Sequence, residues 1–145
     1  MIQKMIQKKS YVRVVLVSLA AFAVLVLTGC YEGYVGPEGE ALKEYVPPEK
    51  LQELVKNPDD SIWIIDVRPA SAYQKGHIPT AKSFPSSEIL SRLNELPKDT
   101  YFIVYCETGG RAQGVIKKLE KKGYTRLMNW GGISRWPYEQ VQGAE

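Results

Sequence analysis

Cys106-Glu107-Thr108-Gly109-Gly110-Arg111 follows an apolar run, residues 101–105, and precedes an amphipathic one, residues 112–122. A strand that delivers one cysteine into a short glycine-containing loop, with arginine at its end and a helix starting there, is the layout of a nucleophile in a backbone anion cradle. The first amides of a helix have no intrahelical acceptor, so negative charge in the loop is favoured by the helix end and by Arg111. Both effects favour a thiolate, which is the nucleophilic form of cysteine. Glu107 opposes them, by an amount set by where its carboxylate points. Gly109 and Gly110 allow backbone conformations closed to other residues, so the amides of residues 107–111, Thr108 included, can converge on one point. The competing reading is a buried structural cysteine at a strand end, the commoner state of a lone cysteine. The loop that follows favours the reactive thiol.

The elements that must hold this loop are legible on either side. Residues 101–105 read as the central strand and residues 112–122 as a helix burying Val115, Ile116 and Leu119, with Gly123 as a left-handed cap. Residues 62–67 are nearly continuously apolar, as in a parallel strand covered on both faces. Pro47-Pro48 opens a helix over residues 49–56, and a short strand is expected at residues 44–46. Pro69 starts a short helix through Tyr73, and Gly76 turns the chain into an extended piece reaching Phe84. Ser86 or Ser87 is expected to cap a helix of residues 87–95 that buries Ile89, Leu90 and Leu93. Residues 125–128 read as a last strand, and Trp130-Gly131-Gly132 as a turn into a short helix with Trp136. Alternating strands and helices imply an α/β sandwich on a mostly parallel sheet, with the cysteine loop beyond a strand's carboxyl end, where such sheets bind ligands.

Formal charge is +3 over 145 residues, but Lys4, Lys8, Lys9 and Arg13 lie in a leader without acids, leaving 15 basic against 16 acidic residues. No basic excess remains to support nucleic-acid binding. The leader has an apolar centre, residues 14–27, short for a membrane span and suited to a secretory signal. It ends Leu27-Thr28-Gly29-Cys30, which resembles a bacterial lipobox. Cleavage after Gly29 then leaves Cys30 as a diacylglyceryl-modified N-terminus, the alternative being an uncleaved signal anchor. The expected organisation is a cleaved signal peptide over residues 1–29, a lipidated N-terminus and tether over 30–43, and a domain over 44–145. The domain is expected in the cell envelope, on the periplasmic or exterior side of a membrane. Cys106 is then the only thiol left, and one histidine without paired cysteines makes no metal site.

Four landmarks bring these pieces together: Asp66-Val67-Arg68, Gly76-His77-Ile78-Pro79, the cysteine loop, and Gly131-Gly132-Ile133 with Trp136. Over residues 44–140 they resemble a single-domain rhodanese, with its three-layer sandwich. The resemblance implies that Cys106 takes a sulfane sulfur from thiosulfate or a persulfide, becomes a persulfide held by the loop amides, and passes the outer sulfur to cyanide or a thiol. It implies no cofactor; the chain is expected to be a monomer. Phosphatases and arsenate reductases of that fold place five residues between cysteine and arginine; here there are four. Asp66, Arg68 and His77 are expected to support the site structurally rather than react, and Trp130 to pack near the pocket wall or meet the donor. The family often has a glutamate where Ala72 stands, so Arg68 needs another partner. Glu107 would repel dianionic thiosulfate, which favours a persulfide or polysulfide donor. The alternative in another class is a non-catalytic tethered module that binds a partner or senses redox state.

Overall fold

The computed structural model describes residues 33–143. The leader and Cys30 lie outside the described residues. The sheet contains β1 (Tyr34–Val35), β2 (Ile62–Asp66), β3 (Lys82–Ser83), β4 (Tyr101–Cys106) and β5 (Leu127–Gly132), in the order β1-β5-β4-β2-β3. β4 is apolar at every position and occupies the centre, parallel to β2 and β5. Among the described strands only β1 runs antiparallel, against β5. A strand with neighbours on both edges and helices on both faces has no solvated side, so its sequence need not alternate.

Pleating divides β4 between two cores. Phe102, Val104 and Cys106 join one apolar cluster; Ile103 and Tyr105 join the other. Two helices, α1 (Pro48–Lys56) and α2 (Ala70–Lys75), cover the second cluster with Leu51, Leu54 and Tyr73. The first is covered by α3 (Gly110–Glu120) through Val115, Ile116 and Leu119. Burying each of those three aliphatic side chains stabilises the fold by about 1.5–3 kcal/mol. The end of α3 is fixed as the glycine signal implies: Gly123 has φ +82°, its amide donates to Glu120 O, and the Tyr124 amide donates to Leu119 O at 3.1 Å. The chain is therefore an α/β three-layer sandwich, with Cys106 where the central strand ends.

Several expected elements are corrected. The stretch read as a tether contributes β1 and a 3-10 helix, Glu40–Tyr45, that buries Leu42, and the latter replaces the strand expected at 44–46. Two of its glycines serve close approach rather than flexibility. A β carbon at Gly36 would lie 2.7 Å from Thr125 O, and one at Gly39 would lie 2.4 Å from Leu127 O. Residues 86–91 form consecutive turns, and the helix expected at 87–95 shrinks to a 3-10 turn, Leu93–Glu95. Bonds such as Glu88 N to Pro85 O and Arg92 N to Ile89 O hold the turns of residues 86–91, in which Ile89 is buried while Leu90 is 40% exposed. In place of the expected turn at Trp130-Gly131-Gly132, β5 continues through these residues, because a bulge opposite Val104 and Tyr105 keeps it paired. The extended piece after Gly76 pairs only at Lys82–Ser83.

Candidate active site

At the end of β4 the loop folds back over its own cysteine. Gly109 takes φ +93°, a left-handed conformation that favours glycine, and acts as the N-cap of α3. Its amide then points at the sulfur, donating to Cys106 Sγ at 3.1 Å, and the Ala112 amide donates from the first turn at 3.4 Å. Cys106 is 1% exposed, so these dipoles act on the sulfur largely without competition from water. Of the amides expected to form the cradle, Gly109 makes this bond; Ala112, one residue past the expected set, makes the other. Glu107, Thr108, Gly110 and the Arg111 side chain are on the exposed rim.

Behind the loop lies a polar side chain that the sequence reading did not single out. Asn129, on β5 and fully buried, donates from Nδ2 to Gly109 O at 3.1 Å and to Gln113 Oε1 at 3.1 Å. Its Oδ1 accepts from the Gly131 amide at 3.0 Å. A β carbon on Gly109 would lie 3.1 Å from Gly131 Cα, so loop and strand pack backbone against backbone. The available signal was one asparagine inside an apolar strand, facing the side that carries α3. Ala112 was detectable as a residue whose amide, in a first helical turn, lacks an intrahelical acceptor.

Beside the loop, Arg68 joins three segments. Its Nε and Nη2 reach both oxygens of Asp66, with Nη2 to Oδ2 at 2.7 Å, and Nη2 also donates to Gly76 O at 2.7 Å. Nη1 lies 3.7 Å from Glu107 Oε2 on the cysteine loop, in place of the partner missing at Ala72. Burial opposes the charge on Arg68, but the Asp66 hydrogen bonds and charge outweigh it and raise its pKa. Tyr105, next to Cys106, receives the Ile78 amide on its hydroxyl at 3.2 Å.

His77 and Trp130 are engaged elsewhere. His77 stacks on Tyr73 with ring centroids 3.6 Å apart, and its Nδ1 lies 2.9 Å from Tyr73 O. A carbonyl only accepts, so Nδ1 carries the hydrogen. The His77 backbone forms a bridge with Val141. Trp130 is fully buried, donates from Nε1 to Tyr45 O at 2.9 Å, and lies under the Arg135 guanidinium, 4.5 Å from the ring centre. A sulfur held by two converging amides at a helix start can carry negative charge and present it to an electrophile. That is the chemistry of a nucleophilic thiolate or of a persulfide.

Comparison with known proteins bears on the family and the fold. The rhodanese-like domain model matches residues 47–138. A sulfurtransferase of Allochromatium vinosum is 32% identical over 92 residues, covering 63% of this chain and 85% of that one. A thiosulfate sulfurtransferase of Pseudomonas syringae pv. syringae is 28% identical over 103 residues, covering 68% and 94%. Among solved structures, a rhodanese-like domain protein from Staphylococcus aureus superposes with a TM-score of 0.59 at 26% identity, covering 67% of this chain and 95% of that one. With the match running from the start of α1 past the last landmark tryptophan, the chain belongs to the rhodanese-like domain family.

Proposed function

We propose that this domain transfers sulfane sulfur through Cys106, which is both nucleophile and carrier. The observation that supports it is the pair of amides, Gly109 and Ala112, donating to Cys106 Sγ at 3.1 and 3.4 Å. The thiolate attacks the outer sulfur of the donor, and the donor's sulfur–sulfur bond breaks with its electron pair leaving on sulfite or on a thiolate. The product is an anionic persulfide, Cys106–S–S⁻, whose charge the same amides stabilise. Attack on the outer sulfur by cyanide or a thiolate acceptor then returns the Cys106 thiolate. Glu107 next to the nucleophile favours a singly charged persulfide or polysulfide over dianionic thiosulfate.

The proposal extends to location. Leu27-Thr28-Gly29-Cys30 supports an envelope protein anchored through a lipidated Cys30. Fatty-acid labelling that survives Cys30→Ala refutes the anchor.

The deciding experiment is mass spectrometry after treatment with thiosulfate or a polysulfide. A gain of about 32 Da on the Cys106 peptide, absent in Cys106→Ser together with thiocyanate formation, is the expected result. No adduct with any donor replaces the enzyme with a non-catalytic binding or redox-sensing module.

A further inference from the structure

Asn129 and Gln113 are amides where the surroundings are aliphatic. Asn129 is fully buried and Gln113 is 5% exposed, on the face of the sheet that Phe102, Val104, Leu127 and Val115 fill. Apolar residues at 113 and 129 would fill that core with fewer buried polar groups to satisfy. Both bonds donated by Asn129 Nδ2 are directed at the loop and helix around the sulfur. Nδ2 holds Gly109 O and Gln113 Oε1, and Gln113 sits on the first turn of α3, adjacent to Ala112. Gly109 and Ala112 are the two residues whose amides donate to Sγ.

We propose that Asn129, with Gln113 as its relay, is a positioning residue that sets the distance and angle of both donors to the Cys106 sulfur. It thereby controls how readily the thiolate forms and how long its persulfide survives. The inference rests on Cys106 being the nucleophile. Gly109 has no side chain to hold its peptide, and a hydrogen bond weakens steeply as it bends. The Gly109 carbonyl accepts the Gln113 amide at 3.0 Å, and Asn129 Nδ2 adds a second fixed partner from outside the helix. That partner is itself fixed by the β5 bulge: Val104 pairs with Asn129 and Tyr105 with Gly131, leaving Trp130 as the extra residue. Asn129 Oδ1 accepts the Gly131 amide across that bulge, so one side chain ties the strand irregularity to the loop.

The test compares the full chain with Asn129→Leu, close in volume and without polar atoms, and Gln113→Leu. The charged groups around the loop, buried Asp66 and Arg68 and exposed Glu107 and Arg111, are unaltered in both. Alkylation of Cys106 by iodoacetamide is followed at its own peptide by mass spectrometry from about pH 5 to about pH 10, with circular dichroism to verify folding. Asn129→Leu is expected to slow alkylation at neutral pH by roughly five- to twentyfold and to move the profile to higher pH. Gln113→Leu should do the same by roughly two- to threefold. Folded variants with the original profile overturn the positioning role. If Asn129→Leu does not fold, Gln113→Leu decides: a displaced profile supports the relay and an unchanged one removes it. An unmodified chain whose Cys106 fails both to alkylate and to form a persulfide sinks the nucleophile and this inference together, an outcome distinct from unchanged variants of a reactive chain.

Discussion

Glu107 O passes so close over Gly132 that a β carbon there would lie 2.4 Å from the oxygen, with Thr108 Cα at 3.0 Å. The backbone of Gly132, with φ −106°, is open to any residue, so the glycine is required by space and not by conformation. Gly132→Ala must therefore push the cysteine loop off β5. Unfolding free energy should fall by about 1–3 kcal/mol, as for other overpacked sites. Persulfide formation should drop at least about tenfold, because small displacements of a reacting group are costly. An alanine variant with full activity would mean the loop is not held by this contact.

Gly114 on α3 is the contrasting case, with no atom within 4 Å of its ideal β carbon. In a helix interior alanine loses less backbone entropy than glycine. Gly114→Ala should stabilise the domain by about 0.5–1 kcal/mol, read as a higher midpoint in urea with sulfur transfer unchanged. A lower midpoint would show that the exposed face of α3 is packed against something.

Asp66 is fully buried and meets Arg68 through Nε, Nη2 and the Arg68 backbone amide, the last at 2.9 Å. Removing one member of such a pair leaves the other charge buried and costs about 3–5 kcal/mol. Asp66→Asn should approach that loss in chemical denaturation. Asp66→Leu with Arg68→Met should cost clearly less than the two single changes added together. Strict additivity would show that the pair is not coupled.

The cysteine end of the fold was legible because its signals are local. An apolar run, a glycine in the left-handed region and an amphipathic stretch with a glycine cap are each readable within a few residues. Residues 33–45 were not, since Gly36 and Gly39 read the same whether a segment is loose or pressed against a neighbour, and the neighbour is β5. Ile89 and Leu93 share a helical spacing, but the chain between them turns with a period of three and leaves Leu90 outside. Asn129 was missed for a similar reason: its partners, Gly109 and Gln113, meet it only after β5 lies beside β4.

Glu107 pairs with Arg68 at 3.7 Å while its side chain remains 64% exposed, so its charge is largely screened although it follows the cysteine directly in the loop. Glu107→Gln removes a repulsion toward anionic donors and releases Arg68 Nη1. The apparent KM for thiosulfate should fall about two- to fivefold, with kcat changed less. A KM that rises or stays the same would mean the carboxylate does not meet the donor, and would withdraw the preference for less charged donors.

Burial, reinforced by the charge of Asp66, pushes the Tyr105 hydroxyl well above the ordinary tyrosine range. A raised pKa means the folded state keeps this proton when the unfolded chain, titrating near pH 10, has released it. The stabilising contribution is therefore complete below about pH 10 and is lost as pH rises beyond it, by about 1.4 kcal/mol per pH unit. Tyr105→Phe removes that loss, so its stability should fall less steeply with alkaline pH, by one proton's slope. At neutral pH the same variant should be less stable by about 1–3 kcal/mol, because the buried Ile78 amide loses its acceptor. Urea unfolding from about pH 8 to about pH 11 measures both effects. Parallel curves for the two chains would show that Tyr105 ionises with equal ease folded and unfolded, and that its hydroxyl is not sealed behind the cysteine.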